Sequence, residues 1–144
     1  MSLTRTRKST TVLSMAGSSV STRPSRTFDL KTRTKEFALH IIKLFRTLPR
    51  SEEARIIGNQ ILRSGTSVGA NYRAACRSRS KAEFISKISV VLEEADETVF
   101  WLELLSQAEI TSAIKTEGLL TEANELTSIF VSSLRTSKGL DDRV

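Results

Sequence analysis

The stretch from Gln60 to Leu105, QILRSGTSVGANYRAACRSRSKAEFISKISVVLEEADETVFWLELL, contains no proline and repeats its apolar residues at three- and four-residue spacing. Its one polar interruption falls at Ser78–Ser80. That pattern predicts two long amphipathic helices joined by a short hinge. Each such helix has an apolar stripe that must be covered, and a second helix is the natural cover. Six glycines and two prolines in 144 residues leave little material for a turn-rich β architecture.

Two further helices flank this pair. From about Lys31, the residues Phe37, Ala38, Ile41, Ile42, Leu44, Phe45 and Leu48 fall on one helix face. Pro49 ends that helix, because it has no backbone donor and restricts the residue before it. Ser51 followed by Glu52 and Glu53 starts the second helix with a hydroxyl cap and acids facing the dipole. It runs to about Arg77 with Ala54, Ile57, Ile61, Val68, Tyr72 and Ala75 inward, flanked by Gly58, Gly65, Gly69 and Cys76. Glycine inside a helix costs ~1 kcal/mol relative to alanine, so three of them predict close approach of a neighbouring helix. Ser80 and Glu83 form a capping box for the third helix, whose stripe is Phe84, Ile88, Val91, Leu92, Ala95, Val99 and Leu102. The fourth, about Lys115 to Thr136, presents Leu119, Leu120, Ala123, Leu126, Ile129, Phe130 and Leu134 before the stop at Lys138–Gly139. The expected fold is therefore all-α: an antiparallel up-down-up-down four-helix bundle over residues 30–138, with a frayed end at 139–144.

Residues 1–29 read as a disordered basic Ser/Thr-rich tail. Residues 1–30 hold thirteen Ser/Thr and five Lys/Arg against one acid, with no apolar periodicity. The net charge of +6 comes mainly from residues 1–50, which carry eleven Lys/Arg and two acids. No apolar run approaches the ~18–20 residues of a membrane span, and the start lacks a secretory apolar region. A cytoplasmic location with no membrane association is the expectation.

Catalytic and cofactor chemistry find little to work with. One histidine, His40, and one cysteine, Cys76, cannot build a four-ligand zinc site. Glu93, Glu94, Asp96 and Glu97 form an acidic run, but the Glu-x-x-His motifs of di-iron bundles are missing, so solvated or salt-bridged carboxylates are expected. The Gly65–Gly69 pair matches GxxxG, yet flanking arginines rule out a membrane role, and no phosphate-cradling loop accompanies it. The expectation is a protein that is not an enzyme and holds no cofactor or metal.

The remaining signals concern binding. Arg55, Arg63, Arg73 and Arg77 project from the second helix away from its core side, and Arg79, Lys81 and Lys87 carry positive charge past the hinge. A line of guanidiniums of this kind can track phosphates bidentately; it can equally serve salt bridges between helices or subunits. Arginine at all four stripe positions favours specific contacts to phosphate or carboxylate. Aromatics do not interleave with the stripe, so binding would be electrostatic and without base readout. Phe100, Trp101 and Leu104 point away from the core side of the third helix and are expected at an oligomer interface, the alternative being simple coverage by the fourth helix.

Arg63–Ser67, Gly69–Tyr72, Glu94–Glu97 and Trp101–Leu105, in this order, resemble a small bacterial four-helix-bundle family found as reading frames in 23S ribosomal RNA intervening sequences. That family is more distantly similar to the accessory variability determinant of diversity-generating retroelements. The likeness spans about residues 28–137, with Ala74 standing where the family usually has an acid. The resemblance implies a left-handed bundle assembled as a ring-like homopentamer. For the retroelement relatives it also implies a basic surface that meets nucleic acid and a reverse transcriptase.

Two functions follow as expectations. In the first, an oligomeric bundle binds RNA or other structured nucleic acid through Arg55, Arg63, Arg73, Arg77, Arg79 and Lys81. In the second, the protein is an interaction scaffold whose arginines serve subunit or partner contacts.

Overall fold

The structure, a computed structural model, describes residues 26–139. Of the expected tail at 1–29 and frayed end at 139–144, residues 1–25 and 140–144 lie outside the described residues. Four helices follow one another: α1 Arg26–Thr47, α2 Glu52–Ala75, α3 Lys81–Gln107 and α4 Ala113–Ser137. Helix α1 begins a turn earlier than the apolar pattern indicates, and Leu30 is already buried in the core.

The contacts define the topology. Positions Gly58, Gly65 and Gly69 of α2 face Phe45, Ile41 and Thr34 of α1 respectively, so the two helices run antiparallel. Ser64 of α2 meets Thr98 of α3, and Arg33 of α1 meets Glu122 and Glu125 of α4. α1 and α4 are the most loosely joined neighbours. The result is the expected up-down-up-down bundle, in which the starts of α1 and α3 and the ends of α2 and α4 share one end.

The glycine expectation holds at its tightest point. A Cβ on Gly65 would lie 2.8 Å from Ile41 Cγ1, and one on Gly69 would lie 3.3 Å from the Thr34 carbonyl oxygen. The two backbones come this close only because these positions carry no side chain. Phe37, Ile41, Ile61, Val68, Ile88, Val91, Leu102, Leu105, Leu126 and Phe130 fill the centre and are almost wholly buried.

The caps match the sequence closely. Ser51 Oγ accepts from Ala54 N, and Ser80 Oγ accepts from Glu83 N at 3.0 Å. Glu83 reaches back to the backbone N–H of Arg79 at 3.2 Å, one residue before the usual capping-box partner. The α3–α4 connection contains an unforeseen feature. Glu109 adopts φ 59°, with Ile110 N bonded to Leu105 O and Glu109 N to Ser106 O. This is a Schellman ending built on a glutamate where glycine is customary.

Candidate nucleic-acid interface

The arginine stripe of α2 is exposed along its length, but its members have different neighbours. Arg55 donates to Glu52 of its own helix at 2.7 Å, with both side chains in solvent. Arg63 spans to α3, where Glu94 accepts at 3.1 Å and Glu97 accepts from the same guanidinium. Trp101 Nε1 donates to Glu97 at 3.0 Å and completes the network. These bonds hold the Glu97 carboxyl below the usual range, through Trp101 first and Arg63 second, and hold the Arg63 guanidinium above its own, chiefly through Glu97. Arg63 is therefore a carboxylate-bound strut between α2 and α3. Of the acidic run of α3, Glu94 and Glu97 are salt-bridged and Glu93 and Asp96 are exposed, within the expectation of solvated or salt-bridged carboxylates.

Arg73, nearly three turns further along α2, faces α1. It lines a recess of about 370 Å³ with Lys31, Lys35, Glu36 and Leu39. Arg77, Arg79 and Lys81 follow, exposed, at the hinge. Glu83, also at the hinge, is held below the usual carboxylate range by Lys87, at 2.9 Å, and by the Arg79 N–H. Among the described residues, Lys31, Lys35, Arg73, Arg77, Arg79 and Lys81 make no side-chain ion pair with a carboxylate. Lys138 at the end of α4 adds another cation at the same end of the bundle.

Arg73, Arg77, Arg79 and Lys81 thus follow one another, exposed, from the last turn of α2 through the hinge to the start of α3, whereas Arg55 and Arg63 are ion-paired further back along α2. Lys31 and Lys35 are cations that sequence reasoning missed. Only the register that puts Thr34 against Gly69 brings their turn of α1 beside Arg73.

The aromatic pair of α3 is only partly as expected. Phe100 is 50% exposed and packs edge-to-face on Trp101, with ring centroids 4.9 Å apart. Trp101 does not point wholly outward. It is half-buried against the core, anchored through its indole N–H to Glu97. Leu104 is also half-buried. On α2, Ile56 is 49% exposed and lies about two turns before Arg63 on the same side of the helix.

Among the described residues, no group of three His, Cys, Asp or Glu side chains is placed to hold a metal ion. No helix of the described residues is long and apolar enough to cross a membrane.

The sequence profile of the 23S rRNA-intervening sequence protein family matches residues 26–132. The fold is similar to the 1.70 Å crystal structure of a protein of unknown function from the S23 ribosomal protein family of Bacteroides thetaiotaomicron. That protein is 37% identical, the match covers 74% of this chain and 98% of that one, and the TM-score is 0.69. No curated protein is a significant match to the chain.

Proposed function

The chain belongs to the 23S rRNA-intervening sequence protein family, and on that premise we propose that it is a non-enzymatic, homo-oligomeric bundle that binds structured RNA or DNA. The contact surface is the basic end formed by Lys31, Lys35, Arg73, Arg77, Arg79 and Lys81. One observation carries this reading. Lys31, Lys35 and Arg73 line one recess, Arg77, Arg79 and Lys81 follow exposed at the adjoining hinge, and no described carboxylate claims any of the six in an ion pair. A like-charged cluster repels itself, and a polyanion that releases counterions on binding relieves that repulsion. The scaffold reading applies to a different part of the surface. Phe100, exposed and packed on Trp101, supports subunit contacts in a ring of the pentameric kind, with the intrachain Arg63–Glu97 strut beside it holding that surface in place.

The test is an electrophoretic shift of a structured RNA and a DNA duplex by the full chain at about 50 and 200 mM salt. Arg73→Ala/Arg77→Ala and Arg63→Ala are compared, with light scattering on each. The proposal expects binding that weakens steeply with salt, is lost in the double variant and survives in Arg63→Ala. It expects the mass to fall only in Arg63→Ala. Wild-type protein that binds neither nucleic acid overturns the nucleic-acid role and leaves the scaffold reading.

A further inference from the structure

The basic end also opens onto a cavity of about 470 Å³ between the start of α1, the end of α2, the hinge, the start of α3 and the end of α4. Its wall is of two kinds. Tyr72, Phe84 and Ile129 give it an apolar, partly aromatic floor, while Ser78, Ser132 and Ser133 supply hydroxyls around it. Tyr72 is held firmly, buried and packed on Phe130 with ring centroids 5.6 Å apart. Ser78 Oγ is buried and, among the described residues, is the side-chain polar atom left without a hydrogen-bond partner. A buried hydroxyl in that condition is disfavoured, and native structures keep few of them.

A single water would satisfy Ser78. It would not account for an aromatic floor, several serines and the exposed Arg77, Arg79 and Lys81 occurring together at one end of the bundle. A ligand matching all three must be flat and apolar on its faces, rich in hydrogen-bonding groups at its edge, and attached to negative charge. We propose that this cavity receives one unpaired nucleobase from the nucleic acid whose backbone lies on the neighbouring cations. The base faces Phe84 and Tyr72, its edge meets the serine hydroxyls, and the flanking phosphates stay at the basic rim. Unpaired bases are recognised in this manner, by stacking on aromatic side chains and by hydrogen bonds to exposed edges. The inference rests on the proposed nucleic-acid role and adds a preference for interrupted over continuous duplexes.

The experiment uses the full chain and two RNAs with equal numbers of phosphates: a perfect duplex and a duplex with one bulged 2-aminopurine. Anisotropy is expected to show the bulged RNA bound about tenfold more tightly, within the range of one stacked base. The bulge fluorescence should change on binding. Ser133→Phe, which fills the cavity, should abolish that preference and leave duplex affinity unchanged. Ser78→Ala should weaken the preference while raising the thermal midpoint, a combination that a merely structural serine would not give. In wild-type protein, alkylation of Cys76, the chain's single cysteine and part of the cavity wall, should slow with bulged RNA only. Equal affinity for the two RNAs, or equal Cys76 protection by both, overturns the base pocket while leaving electrostatic binding intact. Binding of neither overturns both.

Discussion

The hydroxyls of Ser64 and Thr98 lie 2.9 Å apart across the α2–α3 interface, and both residues are fully buried. Thr98 Oγ1 is also 2.7 Å from the Glu94 carbonyl oxygen of its own helix. The pair fixes how α2 sits along α3. It thereby sets Arg63, the neighbour of Ser64, against Glu97, the neighbour of Thr98.

Thr98→Val keeps the shape and removes the hydroxyl, leaving Ser64 with only a 3.5 Å contact to the Ile61 carbonyl. The expected loss is about 1–3 kcal/mol, the usual consequence of stranding a buried polar group. Ser64→Ala combined with Thr98→Val should recover most of it, because no orphaned hydroxyl remains. Urea denaturation of the single and double variants at one protein concentration measures the coupling. Additive losses would show that the two hydroxyls act independently.

Gly65 and Gly118 should respond to alanine in opposite directions. Both sit inside helices, where alanine is favoured by ~1 kcal/mol. A methyl group on Gly65 meets Ile41 Cγ1 at 2.8 Å, and Ile41 is a fully buried β-branched side chain with little room to turn. Overpacking typically costs ~1–3 kcal/mol, so Gly65→Ala should be net destabilising by up to about 2 kcal/mol. A methyl group on Gly118 meets nothing within 4 Å, and Gly118→Ala should stabilise by roughly 0.5–1 kcal/mol. Thermal midpoints of the two variants decide the signs.

Glu109→Gly should stabilise the α3–α4 connection. Glu109 holds φ 59°, a conformation that costs an ordinary L-residue roughly 1–2 kcal/mol and glycine nothing. Glycine also loses more entropy on folding, so the net gain should be about 1 kcal/mol or less. A lowered midpoint would mean that the glutamate side chain contributes contacts worth more than the backbone penalty.

These positions show what the sequence could and could not disclose. The need for glycine at Gly65 and Gly69 was legible because a helix interior has no other use for the residue. Ser51, Ser80 and Pro49 marked helix ends because capping and proline chemistry are local. The ending at Glu109 was hidden, since the hydrogen bonds that hold it place no demand on side-chain type. The partners of Arg63 lie 31 and 34 residues away, and the α1 lysines beside Arg73 further still. Charge along one helix cannot tell which arginine will face a carboxylate and which will face lysines. That division is a property of helix register, and it separates the strut from the basic end.

The strut predicts a pH signature. Glu97 is half-exposed, and its carboxyl is held below the usual range by the Trp101 indole N–H and by Arg63. A carboxyl with a depressed folded value binds its proton less readily in the folded than in the unfolded chain. Its stabilising contribution is therefore fully present above the unfolded glutamate range, about 4.3, and is lost as pH falls through the lower folded value. Solvent screening keeps the effect modest. Glu97→Gln should accordingly melt below wild type at neutral pH, with the gap closing as the solution is acidified past about 4.3. Arg63→Ala should also approach wild type over that interval, since the pairs it removes, with Glu97 and Glu94, need ionised carboxylates. Thermal melts by circular dichroism across that interval measure the gap. A gap that stays constant would assign Glu97 a packing role with no dependence on its charge.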